Sequence, residues 1–187
     1  MQEEESLVQR AQNSDPEAFS QLYERYFNKI FRYIALKIGN SPEAEDMTQQ
    51  VFLKSLQSIS SYRWRDIPFS AWLFRIAHNL VVDYWKKKSR EKVAAVAPEE
   101  IDEMAASPYD PAALAELNFD MKQLAAACDR LTEGQREIIS LRFAGGLSVA
   151  ESAKVMGKSE GAVKVLQHAA LVKLRRILCP AGEEVDG

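Results

Sequence analysis

The sequence predicts an all-α protein built from two small helical domains joined by a flexible acidic linker. Apolar residues recur every three or four positions in both halves of the chain, which is the helical period. No segment alternates apolar and polar residues as a half-buried strand would. Charge is strongly partitioned, because residues 63–92 contain eight basic and three acidic residues, whereas 93–120 contain seven acidic and no basic ones.

The totals suit a small cytoplasmic protein without metal or cofactor. The 187 residues are 47% hydrophobic, which is enough to fill the cores of two small domains. Cys128 and Cys179 stand far apart in a chain with only two histidines, so neither a disulfide framework nor a zinc site is indicated. The acidic N-terminus does not resemble a signal peptide, and no apolar run approaches the ~18 residues that span a bilayer. We therefore expect no membrane insertion.

The N-terminal half predicts three helices. Asp15 and Pro16 are typical of an N-cap and a first-turn proline, and the helix they open ends at Gly39. Ser41 and Pro42 repeat this pattern, and a third helix follows the segment SYRWRDIPFS. The apolar stripes are Phe19, Leu22, Tyr23, Tyr26, Phe27, Ile30, Phe31 and Ile34; then Met47, Val51, Phe52, Ser55, Leu56 and Ile59; then Trp72, Leu73, Ile76, Ala77, Leu80, Val81 and Tyr84.

A change of composition sets the domain boundaries at 1–92 and 119–180, with a linker at 93–118 and a tail at 181–187. Three prolines and a run of carboxylates disfavour both a packed core and a regular helix in the linker. About 28 extended residues span at most ~90 Å, so the two domains could contact sites tens of ångströms apart.

The C-terminal half predicts a helix-turn-helix. Two pairs match a capping box, Thr132 with Gln135 and Ser148 with Glu151. Gly145 and Gly146 end one helix, and Ser159 can cap the last one. The spacing of Ala153, Gly157 and Val163 supplies a small residue where two helices cross, a residue free to adopt positive φ in the turn, and an apolar side chain that fixes the second helix.

The last helix has an apolar and a basic side. We expect Val163, Leu166, Leu171 and Leu174 to face the core, and Lys158, Lys164, His168, Lys173, Arg175 and Arg176 to point outward. The second helix of such a motif enters the major groove of DNA. The alternative is a solvated basic face on an ordinary αα-hairpin.

The segment between residues 61 and 90 interleaves aromatic and basic residues, a pattern that suits single-stranded nucleic acid. Trp64 lies between two arginines ahead of Pro68, which favours exposure. Trp72 is more consistent with the core than with a base platform. His78, Asn79 and Asp83 could contact base edges or simply lie on a solvated helix face, and spacing does not decide between these roles.

Two sequence blocks carry a family resemblance. SPEAEDMTQQVFLKSLQSI with FSAWLFRIAHNLVVDYWKKKSR resembles region 2 of bacterial sigma factors, and LTEGQREIISLRFAGGLSVAESAKVMGKSEGAVKVLQHAALVKLRR resembles region 4. The resemblance covers about residues 10–90 and 119–178, and it is to the extracytoplasmic-function (ECF) group of the sigma-70 family. It implies a transcription initiation factor of the bacterial nucleoid that binds core RNA polymerase and promoter DNA, reading the −35 element as duplex and the −10 element as melted strand.

The resemblance also implies residue roles. The residues that would contact the β′ clamp helices of the polymerase are Glu45, Asp46, Gln49, Gln50, Val51 and Phe52. Gln50 stands in place of the usual glutamate. The −10 element falls to Tyr62, Arg63, Trp64, Arg65, Phe69, Arg75, His78, Asn79, Asp83, Lys86 and Lys87. The second domain would sit on the β flap, and the −35 element falls to Lys158, Ser159, Glu160, Gly161, Lys164, Val165 and His168.

In similar proteins the linker passes through basic channels of the polymerase, and many are held inactive by an anti-sigma factor, which makes one a candidate partner here. The linker carboxylates that suit such channels are Glu99, Glu100, Asp102 and Glu103.

Two other classes of function fit the sequence less well. A helix-turn-helix regulator acting without polymerase explains the C-terminal half equally well, but it explains neither AEDMTQQVF nor the aromatic segment. An enzyme is disfavoured, because no nucleophile stands beside a base in a recognisable motif and no glycine-rich phosphate loop is present.

Overall fold

The computed structural model describes residues 2–63, 67–95 and 119–178. Within these ranges the fold is all-α, which confirms the prediction. The helices are α1 (Gln2–Gln12), α2 (Pro16–Ile38), α3 (Ser41–Ser58), α4 (Phe69–Ala95), α5 (Phe119–Cys128), α6 (Glu133–Ile139), α7 (Val149–Met156) and α8 (Glu160–Leu178). A 3₁₀ turn at Ile59–Ser61 follows α3, and a π-helical turn at Ser140–Ala144 extends α6.

Side-chain caps fix the start of each long helix in the first domain. The Asp15 carboxylate accepts hydrogen bonds from the backbone N–H groups of Glu17 and Ala18, as predicted, and Gly39 ends α2 with φ of 69°. The predicted cap at Ser41 was wrong by one residue. Asn40 is extended and accepts from the N–H of Glu43 at 3.1 Å, so Ser41 already lies in the first turn.

Helices α1 to α4 enclose the first core, whose largest fully buried side chains include Tyr33, Phe69 and Phe74. Helix α1 was not predicted, because only Leu7, Val8 and Ala11 of this polar segment are buried. Its signals are local ones: three glutamates in the first turn and a basic residue in the last, which suit the helix dipole.

The apolar stripe of α3 is narrower than the sequence predicted. Met47, Val51 and Phe52 are buried, but Leu56 is 51% exposed. Because successive residues are 100° apart, the stripe that contains Val51 and Ser55 turns Leu56 toward the solvent side of α3.

The second domain consists of α5 to α8 around two small apolar clusters. Ile138, Ala153 and Val163 pack where α6, α7 and α8 cross. Alanines of α5, together with Leu131 and Ile139, pack against Ala170 and Leu174 of α8. A four-helix unit of this size has little apolar surface to bury, so each cluster is small.

The two domains pack directly against each other. Leu141, Leu147 and Val155 of the second domain belong to the core cluster of the first, and Leu36 of α2 belongs to a cluster of the second. Helix α2 lies along the π-helical turn, and α4 lies along α7. The linker therefore joins two units that are in contact, although residues 93–95 still belong to α4 and most of the predicted linker and the tail lie outside the described ranges.

None of the helices in the described ranges is long and apolar enough to cross a bilayer. The same residues contain no group of histidine, cysteine, aspartate and glutamate side chains that could hold a metal ion.

We predict opposite effects for Gly157→Ala and Gly161→Ala. A Cβ atom would meet nothing within 4 Å at either position, but Gly157 has φ of 62° whereas Gly161 lies in the first turn of α8. Alanine at 157 should therefore lower the free energy of unfolding by about 1 kcal/mol, since an L-residue is strained there. Alanine at 161 should leave it unchanged or raise it by up to about 0.5 kcal/mol. Urea denaturation measures both, and equal effects would contradict the assignment of the turn.

Candidate nucleic-acid interface

Helices α7 and α8 form the predicted helix-turn-helix. The hydroxyl of Ser148 accepts from the N–H of Glu151 at 3.1 Å, and the Glu151 carboxylate accepts from the N–H of Ser148 at 2.7 Å, so the capping box is closed. Ser159 caps α8 by accepting from the N–H of Ala162 at 3.2 Å. The positive φ of Gly157 turns the chain between the helices. Ala153 and Val163 are buried at the crossing, as their spacing predicted.

The start of α8 presents an exposed and largely polar surface. All seven residues predicted to contact the −35 element are exposed: Lys158, Ser159, Glu160, Gly161, Lys164, Val165 and His168. Two lysines, a histidine and a hydroxyl on one helix end supply donors for phosphates and base edges. The geometry matches a helix that enters a groove with its N-terminal residues first.

One core position of α8 was wrong. Leu171 is 39% exposed, whereas Val163, Ala170 and Leu174 are buried. These three buried residues are separated by seven and four positions and lie on one side of the helix, so Leu171 falls about 100° away from that side.

Two aromatic residues next to the start of α4, Tyr62 and Phe69, pack into the core. Tyr62 and Phe69 are buried, their ring centroids lie 5.0 and 5.4 Å from that of Trp72, and the Tyr62 hydroxyl donates to the carbonyl of Ile67 at 2.6 Å. Neither buried ring offers a free face to a base in this structure. Trp72 packs against the core, as favoured, and Arg63 is exposed. Trp64 and Arg65 lie outside the described ranges.

The exposed side of α4 is polar and cationic. Asn79, Asp83, Lys86 and Lys87 are all exposed. An ion pair of 3.8 Å joins Lys86 to Asp83, but both groups are in solvent, where such pairs contribute little. These side chains are therefore free to exchange their partners for a nucleic acid.

Helix α3 presents a second surface. Glu45, Asp46, Gln49 and Gln50 are exposed, whereas Val51 and Phe52 are buried and hold the helix against the core. Leu53 and Leu56, which are 56% and 51% exposed, lie four and seven positions after Gln49 on the same side. Sequence reasoning missed this exposed apolar pair, because its period is that of an ordinary core stripe.

Two residues predicted to contact the −10 element instead contact the second domain. The Arg75 guanidinium donates to the carbonyl of Lys154 at 3.0 Å. Nδ1 of His78 lies 2.9 Å from a carboxylate oxygen of Glu137. Arg75 is nevertheless exposed and His78 is half-buried, so this part of the predicted −10 surface borders the second domain.

Glu137 is the centre of this contact. Only 4% of Glu137 and 3% of Lys37 is exposed. The Nζ atom of Lys37 lies 2.8 Å from one carboxylate oxygen, and the Tyr33 hydroxyl donates to the other at 2.7 Å. Three side chains of the first domain, Tyr33, Lys37 and His78, thus surround one carboxylate of the second, and we call these four residues the Glu137 cluster.

The environment keeps this carboxylate ionised. Burial alone raises the pKa of Glu137, but the hydrogen bond from His78 and the charge of Lys37 outweigh it and lower the pKa to about 2. Burial and the adjacent Glu137 charge raise the pKa of Tyr33 well above its usual value. The hydroxyl of Tyr33 therefore stays a hydrogen-bond donor.

Further contacts flank the cluster. The Ser70 hydroxyl donates to the carboxylate of Glu151, which is also the capping residue of α7. Gly145 lies so close to Phe74 that a Cβ atom would stand 2.7 Å from the ring. Sequence reasoning missed Lys37 and Glu137. Lys37 is a single charge within the apolar run IALKIG, which is the available signal of a buried charge, whereas Glu137 follows Arg136 and carries no such signal.

Comparisons with known proteins agree with this geometry. The family described as Sigma-70 region 2 matches residues 22–91, and Sigma-70, region 4 matches residues 127–176. The ECF RNA polymerase sigma factor BldN of Streptomyces coelicolor is 41% identical over 174 residues, which are 92% of this chain but 64% of that protein. ShbA of Streptomyces griseus, another ECF sigma factor, is 32% identical over 180 residues, or 92% of this chain and 93% of that one.

Two solved structures share the fold. CnrH in complex with the cytosolic domain of CnrY superposes with a TM-score of 0.71 at 24% identity, covering 94% of this chain and 97% of that one. The sigma factor RpoE in complex with the anti-sigma factor NepR from Bartonella quintana gives 0.68 at 23% identity, covering 88% and 98%.

We predict that the effect of Glu137→Gln on stability depends on pH. Because the folded pKa is depressed from 4.5 to about 2, the ionised carboxylate contributes stability above pH 4.5 that is lost as the pH falls through about 2. The shift corresponds to about 3 kcal/mol at pH 7 and to roughly half of that at pH 3. Urea denaturation of both proteins at the two pH values measures this difference.

The matched control is Glu133→Gln on the same helix. Its carboxylate lies 3.6 Å from Lys37 but is 86% exposed, so its effect should be small at both pH values. A Glu137→Gln effect that stays constant between pH 7 and pH 3 would show that the charge of the carboxylate is not responsible.

Proposed function

This chain belongs to the ECF sigma factors of RNA polymerase, and we propose that it binds core polymerase and directs it to promoters, reading the −35 element as duplex and the −10 element as melted strand. The observation that carries this proposal is the pairing of an exposed helix-turn-helix surface with a separate cationic helix surface in one chain. A sigma factor is not an enzyme, so polymerisation belongs to its partner.

The charge balance supports dependence on the polymerase. Residues 121–187 contain ten basic and eight acidic residues, and residues 1–92 contain fourteen and twelve. Phosphate contacts by lysine and arginine supply most of the non-specific affinity for DNA. Modules with so little net positive charge are expected to hold promoter DNA weakly on their own, and a larger enzyme would supply the remaining contacts.

For the polymerase we propose the exposed side of α3. Glu45, Asp46, Gln49 and Gln50 would make polar contacts with the β′ clamp helices, and the exposed pair Leu53 and Leu56 would add apolar area beside them. An exposed apolar pair within a polar helix face is typical of a helix that docks on another helix. Val51 and Phe52 would contribute indirectly, because they hold α3 against the core.

For the −10 element we propose the exposed residues Arg63, Asn79, Asp83, Lys86 and Lys87, together with Trp64 and Arg65 of the preceding segment. Stacking recovers about 1–3 kcal/mol per base, whereas each lost duplex step costs roughly 1.4 kcal/mol. A few captured bases can therefore offset the opening of only a few base pairs. Tyr62 and Phe69 would support this surface from the core, and Arg75 and His78 would lie at its edge next to the second domain.

For the −35 element we propose the start of α8, with the second domain on the β flap. Family members usually carry a Ser-Arg pair at positions 165 and 166 and an arginine at 169, where this chain has Val165, Leu166 and Ala169. Fewer polar contacts follow, so Lys158, Lys164 and His168 would supply a larger share of the binding.

We also propose that an anti-sigma factor regulates the protein. The protein itself would act at the nucleoid in the cytoplasm. The support is the fold shared with RpoE, whose structure was solved with the anti-sigma factor NepR. The acidic linker would pass along basic channels of the polymerase, although its carboxylates lie outside the described ranges.

Run-off transcription with purified core polymerase and a library of random promoters tests the proposal. We expect transcripts enriched for two sequence elements, because both DNA surfaces are used at once, and no enrichment with core polymerase alone. Unchanged start sites would overturn the proposal. Tight, specific binding to duplex DNA without polymerase would instead support a helix-turn-helix regulator.

Two lysines of α8 provide a matched pair for the −35 surface. Lys164 is exposed near the start of the helix, and Lys173 is exposed about two and a half turns further on. Lys164→Ala should lower initiation from a promoter with a −35 element by about tenfold, as one lost phosphate or base contact costs about 1–3 kcal/mol. Lys173→Ala should change it less than twofold. Equal losses would place the DNA elsewhere on α8.

A further inference from the structure

The last side chain of α1 reaches the chain that leads into the proposed −10 surface. The side-chain nitrogen of Gln12 lies 2.9 Å from the carbonyl oxygen of Ile59 and 2.8 Å from that of Tyr62. Carbonyl oxygens only accept hydrogen bonds, so the group that faces them is the amide NH₂, and each of its two hydrogens has its own acceptor. Gln12 thus ties α1 to positions 47 and 50 residues further along the chain.

Tyr62 is the centre of this arrangement. Its backbone N–H donates to the Ile59 carbonyl at 3.1 Å, and its hydroxyl donates to the Ile67 carbonyl at 2.6 Å. Only 4% of Tyr62 is exposed, so its ring is fixed in the core. This one residue therefore joins the 3₁₀ turn to the chain just before α4, and Gln12 holds it there from α1.

Arg63 shares an acceptor with Gln12. The Arg63 guanidinium donates to the carbonyls of Ser60 and Tyr62 at 3.2 and 3.3 Å, although the residue is exposed. The Tyr62 carbonyl accepts from both side chains, so its position determines where the exposed cation stands. Arg63 is one of the residues proposed above to contact the −10 element, which links Gln12 to DNA through a single carbonyl.

The end of α1 is held firmly enough to support this contact. Arg10 donates to the Asp15 carboxylate at 2.7 Å, and the same carboxylate caps α2. Leu7 and Val8 are buried against the core, and Gln12 is half-buried at the end of the same helix. The anchor is therefore in place before any strand binds, which lowers the ordering cost of binding.

We propose that Gln12 is a positioning residue for recognition of the melted −10 strand, and that it acts by fixing Tyr62 and Arg63. The inference deepens the proposed function and rests on it. The Sigma-70 region 2 match begins at residue 22, so the family comparison assigns no role to this position. A contact surface that is held by its supporting residues admits fewer alternative arrangements of a base. Loss of the anchor should therefore lower discrimination between bases as well as affinity.

Two substitutions at Gln12 isolate the anchor. Gln12→Glu keeps the shape of the side chain but places a carboxylate, which only accepts, against two carbonyl oxygens. Gln12→Met keeps the length and removes the donor without adding charge. The matched controls are Gln9→Glu and Gln9→Met, because Gln9 is exposed three positions earlier on the same helix.

Run-off transcription from the random promoter library measures the consequence in the holoenzyme. Either Gln12 variant should lower the preference for the favoured base at the most specific −10 position about fivefold, as expected for two lost hydrogen bonds. The −35 preference should stay within about twofold of the wild type, because the start of α8 is a distant and independent site. A ratio between bases does not depend on the amount of active protein, so a smaller folded fraction would not change it.

Amide hydrogen exchange, followed by NMR in the free full-length chain, tests the anchor without DNA. The Tyr62 amide should exchange about tenfold faster in both Gln12 variants, because local opening no longer breaks the two bonds from Gln12. Its rate in the Gln9 variants should equal that of the wild type.

The outcomes distinguish this inference from the proposed function. The role of Gln12 is overturned, with the sigma-factor function intact, if the Tyr62 exchange rate or the −10 preference is unchanged in the Gln12 variants. Equal losses at both promoter elements, or equal losses in the Gln9 variants, would also overturn it. Wild-type protein that directs no promoter-specific transcripts would overturn the proposed function, and the role of Gln12 would fail with it.

Discussion

A single buried carboxylate decides how the two halves of this protein meet. Glu137 is a buried charge on α6 of the second domain, next to the buried Ile138 and Ile139. Lys37, Tyr33 and His78 of the first domain are its partners. Since an unpaired buried charge is far costlier than an exposed one, the docked arrangement is the one that satisfies it. Leu36, Leu141 and Val155 add apolar contacts between the two domains.

Local rules explain the modules better than they explain the assembly. Caps at Asp15, Ser148 and Ser159, and left-handed glycines at 39 and 157, were predictable because each depends on only a few consecutive residues. The helix-turn-helix was predictable for the same reason. The errors at Leu56 and Leu171 are shifts of one position around a helix, because periodicity defines a face only to within about 100°. The error at Ser41 is a shift of the cap by one residue along the chain.

The docked interface could not have been predicted in this way. Its members lie 104 positions apart for Tyr33 and Glu137 and 59 for His78 and Glu137, and no local pattern joins them. Exposure could be predicted at the start of α8, where it follows from the motif. It could not be predicted for Tyr62 and Phe69, which are buried in the core, nor could the contacts of Arg75 and His78 with the second domain.

The chain between Ala95 and Phe119 bears on how strong this interface has to be. A short covalent tether keeps each domain at a millimolar effective concentration for the other. At such a concentration, even an interface too weak to hold two separate proteins together would keep the domains associated. A competitor that binds either face, such as a polymerase surface, then needs only modest affinity to displace the other domain. The two domains can therefore be docked in the free protein and still separate when a partner binds.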